Sequence, residues 1–147
     1  AAIAYKHTVI ASTPIDINLC KQLNILLADL GVPDEKIVVD PTTGGLGYGL
    51  EYTYSVMERS RMAALTQQDE RLQFPMICNL AKEVWKVKEV KTPEAEDPKL
   101  GDGKKRGVAM EATTAMSLLL AGASVLVMRH PEAIAQVRTA LQDLSSN

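Results

Sequence analysis

The sequence predicts an α/β fold built on a parallel sheet, and three observations carry that expectation. Four short apolar runs, at residues 7–11, 37–39, 75–78 and 124–128, alternate with stretches of helical periodicity. No tight hairpin joins one run to the next, which is the signature of right-handed β-α-β units. Aromatic residues make up only 4% of the chain while Ala, Leu, Val, Ile and Met are plentiful. That is the composition of helices laid over a parallel sheet.

The first run is His7–Thr8–Val9–Ile10–Ala11, closed by Ser12–Thr13–Pro14. A helix is expected from about Asp16, with Leu19, Leu23, Leu26, Leu27 and Leu30 on one face at spacings of three and four. Asp16 is its candidate N-cap, and Gly31 followed by Pro33 is its stop. The second strand, Ile37–Val38–Val39, is β-branched throughout and ends in Asp40–Pro41. A glycine-rich loop from Thr42 to Gly49 leads into a helix over 50–65, with Tyr54, Met57, Arg61 and Leu65 along one side.

The third strand, Pro75–Met76–Ile77–Cys78, leads to Asn79 and then to a less regular amphipathic piece around Val84, Trp85 and Val87. Residues 91–106 are charged and rich in Pro and Gly, which predicts an exposed loop outside the core and the most mobile stretch of the chain. A helix from about Val108 to Ala121 then precedes the strand Ser124–Met128. The last helix starts at Pro131, in the favoured first-turn position, and runs to about Leu144. Residues 1–147 read as a single domain of four βα units without repeats. A doubly wound open sheet and half of a (β/α)₈ barrel both accommodate this order. A complete barrel needs about 250 residues. The short lead-in from Ala1 to Lys6 suggests a truncated barrel.

Composition excludes some classes of function. Sixteen basic against eighteen acidic residues give a net charge of −2, the wrong balance for a nucleic-acid partner. The longest apolar runs fall well short of the ~18 residues that a membrane span requires. A signal peptide is not expected from the opening residues, and Cys20 and Cys78 have no pair spacing for metal or redox work. They read as reduced, buried thiols, and the expected location is the cytoplasm.

In parallel α/β folds function gathers at the carboxyl ends of the strands. Here those ends deliver Ser12 and Thr13, then Asp40, Thr42, Thr43, Gly44 and Gly45, then Asn79, and finally Arg129 and His130. Four glycines in six residues let a backbone take positive φ and come close to a bulky ligand. The run Gly44–Gly45–Leu46–Gly47–Tyr48–Gly49 has neither dinucleotide-fingerprint nor P-loop spacing. Bare backbone is expected to matter at Gly45. Asp40 suits either a ligand contact or a turn cap, since Asp-Pro opens many turns, and Asp16 reads as a cap. Asn79 is a candidate for binding a heterocycle through its amide. Arg129 and His130 precede a helix N-terminus, where anions bind; the alternative is that Arg129 pairs with Glu132 or Glu111. His7 enters the first strand at its amino end and reads as structural. No nucleophile–base pair can be assembled, so no independent catalysis is expected.

Several stretches resemble one family. The segment from Ser12 to Leu26 is similar to its S-P-[IL]-D-I-N-x-x-K-Q-L-N-I-L motif, and Asp40 to Tyr52 to its D-P-x-x-G-G-L-G-Y-G-[IL]-E-Y motif. Met57–Glu58–Arg59 continues into its M-E-R-x-R helix, and Met128 to Ala133 matches its M-R-H-P-E-A. The family is the small, or delta, subunit of the corrinoid iron–sulfur protein of the acetyl-CoA decarbonylase/synthase complex. The chain departs from it at Leu80–Lys86, where the family has a Gly-Tyr-Glu-Ala-Trp-Arg pattern, and at Met110, where it has tryptophan.

The resemblance implies the C-terminal half of a TIM (β/α)₈ barrel whose rim caps a corrinoid (cobamide). It implies that the corrinoid is held mainly by a large subunit that also carries the iron–sulfur cluster. It further implies a methyl group taken from methyltetrahydrofolate or a methanogen pterin through a methyltransferase and delivered to acetyl-CoA synthase. The chain has no D-x-H-x-x-G segment to supply a cobalt-ligating histidine. Two other readings stay open on the residues: a pterin-binding methyltransferase barrel, and a structural half barrel that binds no small molecule. The Gly-Gly-Leu-Gly-Tyr-Gly run matches the carrier subunit better than the methyltransferase.

Overall fold

The computed structural model describes residues 1–146. A short helix α1 (Ala2–Tyr5) precedes strand β1 (Val9–Ser12), helix α2 (Ile17–Asp29), strand β2 (Ile37–Asp40) and helix α3 (Leu50–Thr66). Strand β3 (Ile77–Cys78) follows, with two short helices, α4 (Leu80–Val84) and α5 (Lys88–Lys91). Helix α6 (Gly103–Leu120), strand β4 (Val125–Leu126) and helix α7 (Pro131–Ser145) complete the chain.

Local chemistry sets most of the boundaries. Asp16 caps α2 by accepting from the amides of Asn18 at 2.8 Å and Leu19 at 3.0 Å, and Gly31 takes φ +85° just past its end. Pro131 opens α7, and His130 Nδ1 accepts from the Glu132 amide at 3.2 Å.

Strand β1 pairs in parallel with β2, from Val9 opposite Ile37 to Ser12 opposite Asp40. Strand β3 pairs in parallel with β4, with Ile77 opposite Val125. A parallel bridge between Val39 and Met76, with Val39 N–H donating to Pro75 O at 2.8 Å, joins the two pairs. The strands therefore lie side by side in chain order, and their carboxyl ends share one edge. Alternation along them sends Ala11, Ile37, Val39 and Cys78 into the buried layer beneath the helices, with Met57, Leu80 and Leu118. Ile10, Val38, Ile77 and Val125 fall on the opposite face, where Ile10 is 55% and Val125 46% exposed. Ser12 and Asp40 share that open face.

Several expectations are corrected. Leu19, Leu26 and Leu30 do not form the buried stripe of α2. They are exposed, while Cys20 and Asn24 are buried and Leu23 and Leu27 pack partway. Asn24 sets this rotation by donating from Nδ2 to Arg71 O at 2.8 Å, in the turn after α3. On its outer flank α2 has no further helix among the described residues. On α3, Leu65 is likewise exposed and Arg61 half-buried, while Met57 is fully buried.

Helix α6 starts at Gly103, inside the loop expected over 91–106, because Asp102 caps it through the Lys105 amide at 2.7 Å. What remains of that loop is pinned by Arg106. Its guanidinium donates to the carbonyls of Leu100 at 2.7 Å, Gly101 at 2.9 Å and Thr92 at 2.6 Å. Strands β3 and β4 also span only two residues each, shorter than the expected runs.

The turn between α6 and β4 needs glycine. Gly122 takes φ +104°, and a Cβ there would sit 2.8 Å from Arg61 Nε. Arg61 meanwhile donates to Gly122 O at 2.7 Å. Replacing Gly122 with alanine is expected to destabilise the fold by about 1–3 kcal/mol through backbone strain. The urea-unfolding midpoint reads this, and an unchanged midpoint would remove strain from the account.

Candidate functional site

Asp40 is the hub where the ends of β1 and β2 meet. Its Oδ2 accepts from Ser12 Oγ at 3.0 Å and its Oδ1 from the Thr42 amide at 2.9 Å. Thr42 Oγ1 donates across to Thr13 O at 2.5 Å, and the Thr13 amide donates to Asp40 O at 3.2 Å. Thr42 adopts φ +63°, a left-handed conformation uncommon outside glycine, asparagine and aspartate. The Asp40 turn therefore over-determines a strained residue at the rim. Asp40 thus serves the turn, and its carboxylate stays half-buried at the open face.

Below the turn, Thr53 of α3 is fully buried and works in both directions. Its Oγ1 donates to Thr42 O at 2.9 Å and accepts from the Gly44 amide at 2.8 Å. The glycine loop then folds back on itself, with the amides of Tyr48 and Leu50 donating to Gly45 O at 2.9 and 3.0 Å. Gly44 carries the close approach: a Cβ there would run into Gly49 O and lie 2.8 Å from Leu50 N. At Gly45 φ is not positive, and a Cβ would meet only ordinary contacts, Tyr48 Cβ and Val87 Cγ1 at 3.6 Å. The expected need for bare backbone at Gly45 is corrected accordingly. Positive φ falls at Gly47 and Gly49. Tyr48 Oη reaches Glu89 of α5 at 3.2 Å, and this hydrogen bond and the charge behind it raise the phenol pKa.

Arg129 and His130 form a second cluster around Glu111, which is fully buried in α6. Glu111 Oε2 accepts from Trp85 Nε1 at 2.9 Å and the His130 amide at 3.1 Å, and Oε1 accepts from the Arg129 amide. The Arg129 guanidinium lies 4.9 Å from the centre of the Trp85 ring, and the His130 imidazole stacks on that ring at 5.9 Å. The expected pairing of Arg129 with Glu111 or Glu132 does not form through its side chain. Glu111 takes the backbone, and Glu132 is bridged to Lys104 at 3.0 Å, which lowers the Glu132 pKa.

Asn79 stands at the head of α4, exposed, and its amide caps nothing. The hydroxyl of Thr13 is buried without a hydrogen-bond partner, and so is that of Thr43, which lies beside the Cys78 thiol. Burial pushes the Cys78 thiol up to about 11; Thr43 opposes this and the Asp40 charge adds to it. Burial raises Cys20 too, so both thiols are unreactive. Among the described residues no group of three or more His, Cys, Asp or Glu is placed to hold a metal ion. Among the described residues no helix is long and apolar enough to cross a membrane.

Sequence reading passed over Thr53, and it took Trp85 and Glu111 only as an amphipathic position and a possible charge partner. An uncharged β-branched hydroxyl one turn into a helix was the available signal for Thr53.

These features define an α/β protein with a parallel sheet and polar groups gathered along the carboxyl edge of its strands. The family described as the CO dehydrogenase/acetyl-CoA synthase delta subunit matches residues 1–141, and the chain belongs to this family. It is 41% identical over 150 aligned positions to the acetyl-CoA decarbonylase/synthase complex subunit delta 2 of Methanosarcina acetivorans, covering 98% of this chain and 34% of that protein. Subunit delta of Methanopyrus kandleri is 41% identical, over 97% of this chain and 34% of its own length. That of Archaeoglobus fulgidus is 39% identical, over 98% and 32%. The chain thus spans about a third of the length of these relatives.

Replacing Thr53 with valine keeps the shape and deletes both hydrogen bonds beneath the loop. The expected cost is about 1–3 kcal/mol from the groups left unpaired. Amide exchange at Gly44 is expected to quicken more than the change in global stability explains. Equal slowing or quickening across the whole chain would deny Thr53 its specific role.

Proposed function

We propose that this chain is the C-terminal half of a TIM (β/α)₈ barrel in the small subunit of a corrinoid iron–sulfur methyl carrier. Its carboxyl-end rim faces a cobamide held mainly by the large subunit, which also carries the iron–sulfur cluster. The observation that carries this reading is the strand order. Parallel strands paired in chain order place every helix on one side when their crossovers share the usual right hand. An open doubly wound sheet reverses its order at a switch point. The four strands keep a single order and leave one apolar face, Ile10, Val38, Ile77 and Val125, of the kind a barrel fills with its other strands.

The rim suits the neutral amide periphery of a corrin. Ser12, Thr42 and Asn79 are exposed and uncharged, so they exchange hydrogen bonds with amides without burying a charge. Thr13 and Thr43 lie behind them with their hydroxyls buried, out of a ligand's reach. The glycine loop, pressed against its own backbone at Gly44, keeps side chains out of the way. When bound, the cobalt of the corrinoid supplies the nucleophile, so the rim itself need contribute no catalytic side chain. The work of Asp40 and Thr53 is to hold the turn in one shape.

The relatives are named as subunits of the acetyl-CoA decarbonylase/synthase complex. We place this chain in the same setting, between a pterin-dependent methyltransferase and acetyl-CoA synthase. The reading predicts that the protein, assembled with its corrinoid-bearing subunit, accepts and delivers methyl groups. It predicts slower transfer for Gly44→Ala, which displaces the loop, and little change for Gly45→Ala, where a methyl group finds room. The corrinoid's visible spectrum follows both steps. Equal rates for wild type and Gly44→Ala in loading and delivery would take the loop out of the function.

A further inference from the structure

The fourth strand end is held by a device that the reading of the rim does not itself require. Glu111 is fully buried, and a buried carboxyl group is costly unless its oxygens are satisfied. All three groups that meet it are N–H donors: Trp85 Nε1, the Arg129 amide and the His130 amide. The ring it holds lies on bare helix. A Cβ on Gly107, one turn before Glu111, would come within 2.6 Å of Trp85 Cη2. The Arg129 guanidinium lies over the same ring and the His130 imidazole stacks with it. The guanidinium forms no ion pair among the described residues. The nearest acidic candidates are taken, Glu111 by backbone amides and Glu132 by Lys104.

We propose that Glu111 is a positioning residue that fixes Trp85 and the Arg129–His130 backbone together, so that Arg129 is carried on the ring face as a preset cationic contact at the rim. This rests on the reading of that rim as the face turned to the corrinoid subunit. The guanidinium keeps its charge available because the ring face, rather than a carboxylate, supports it. A glutamine at 111 has nearly the same shape but must turn an NH₂ toward a donor. Turned toward Oε2's position it opposes two donors, Trp85 Nε1 and the His130 amide. Turned the other way it opposes only the Arg129 amide. Glu111→Gln therefore releases Arg129 first and leaves Trp85 in place.

Trp85 is the only tryptophan of the chain, so its fluorescence reports this cluster directly. The proposal predicts that iodide quenches Trp85 more effectively than neutral acrylamide does, because Arg129 draws the anion to the ring. Glu111→Gln and Arg129→Gln are each expected to abolish that preference, and the double variant to lose no more than either single one. In the assembled protein each is expected to slow methyl transfer by about tenfold, within the ~10²-fold cost of an ångström of misplacement. The double variant should be no slower than Arg129→Gln. A preserved iodide preference in Glu111→Gln, or rate losses that multiply, would overturn the proposal and leave Glu111 as a plug in the core.

Should Glu111→Gln not fold, Trp85→Phe keeps a ring under Arg129 and removes only the indole donor. Slow exchange of the Arg129 and His130 amides in that variant supports direct fixation by Glu111, and exchange as fast as an unprotected loop overturns it. If the wild-type assembly transfers no methyl group, the functional reading fails, while quenching and exchange still decide the role of Glu111.

Discussion

Where a parallel strand ends, its backbone amides and carbonyls lose their ladder partners, and in a half-buried position each must find another. That constraint shapes the whole edge of this molecule. At β1 and β2 the replacement partners are Asp40, Thr42 and Thr53, at β4 they are the two oxygens of Glu111, and at the start of α2 the partner is Oδ1 of Asp16. Because the acceptors are short or buried side chains, they fix the loops in single conformations. The residues left pointing outward, Ser12, Thr42, Asn79 and Arg129, inherit that fixed geometry without being needed to create it, save for the bridges Ser12 and Thr42 make to the neighbouring turn.

The sheet imposes a second constraint at right angles to the first. Strands in chain order bury one face under α3, α6 and their neighbours and leave the other face apolar and open. The exposed leucines of α2 belong to the same picture, since a helix at the end of such a row has a flank with no neighbour. Both surfaces would be covered by further βα units, as the proposed barrel requires. The small residues then serve approach rather than freedom of φ at two places. Gly44 lets the loop meet its own backbone, and Gly107 lets Trp85 lie against α6.

Much of this was legible in the sequence, and the failures share a cause. Asp16, Gly31 and Pro131 were read correctly because capping acts over three or four residues, a range that sequence displays directly. The alternation of apolar runs and helical stretches gave the parallel α/β class for the same reason. The role of Glu111 was not legible, since its partners lie 18 to 26 residues away and two of the three are backbone amides, which carry no sequence signal. Adjacent glycines advertised a tight loop but not which of them met the returning chain, so the close approach fell on Gly44 rather than Gly45. The start of α6 was misplaced because charge and glycine at 101–106 look like loop until Asp102 and Arg106 are seen to tie that segment down. On α2, the apolar stripe is split, with Leu23 and Leu27 packed against the core and Leu19, Leu26 and Leu30 turned outward, while the polar Asn24 is buried.

The central claim is that the carboxyl edge of the strands is the face turned toward a corrinoid-bearing subunit. Amide hydrogen exchange of the protein alone and assembled with that subunit tests it most directly. The account predicts that assembly slows exchange at residues 12–13, 42–48, 79 and 129–130, and leaves the outer surfaces of α3 and α6 as they were. Protection confined to those outer helical surfaces, with the strand edge unchanged, would contradict it.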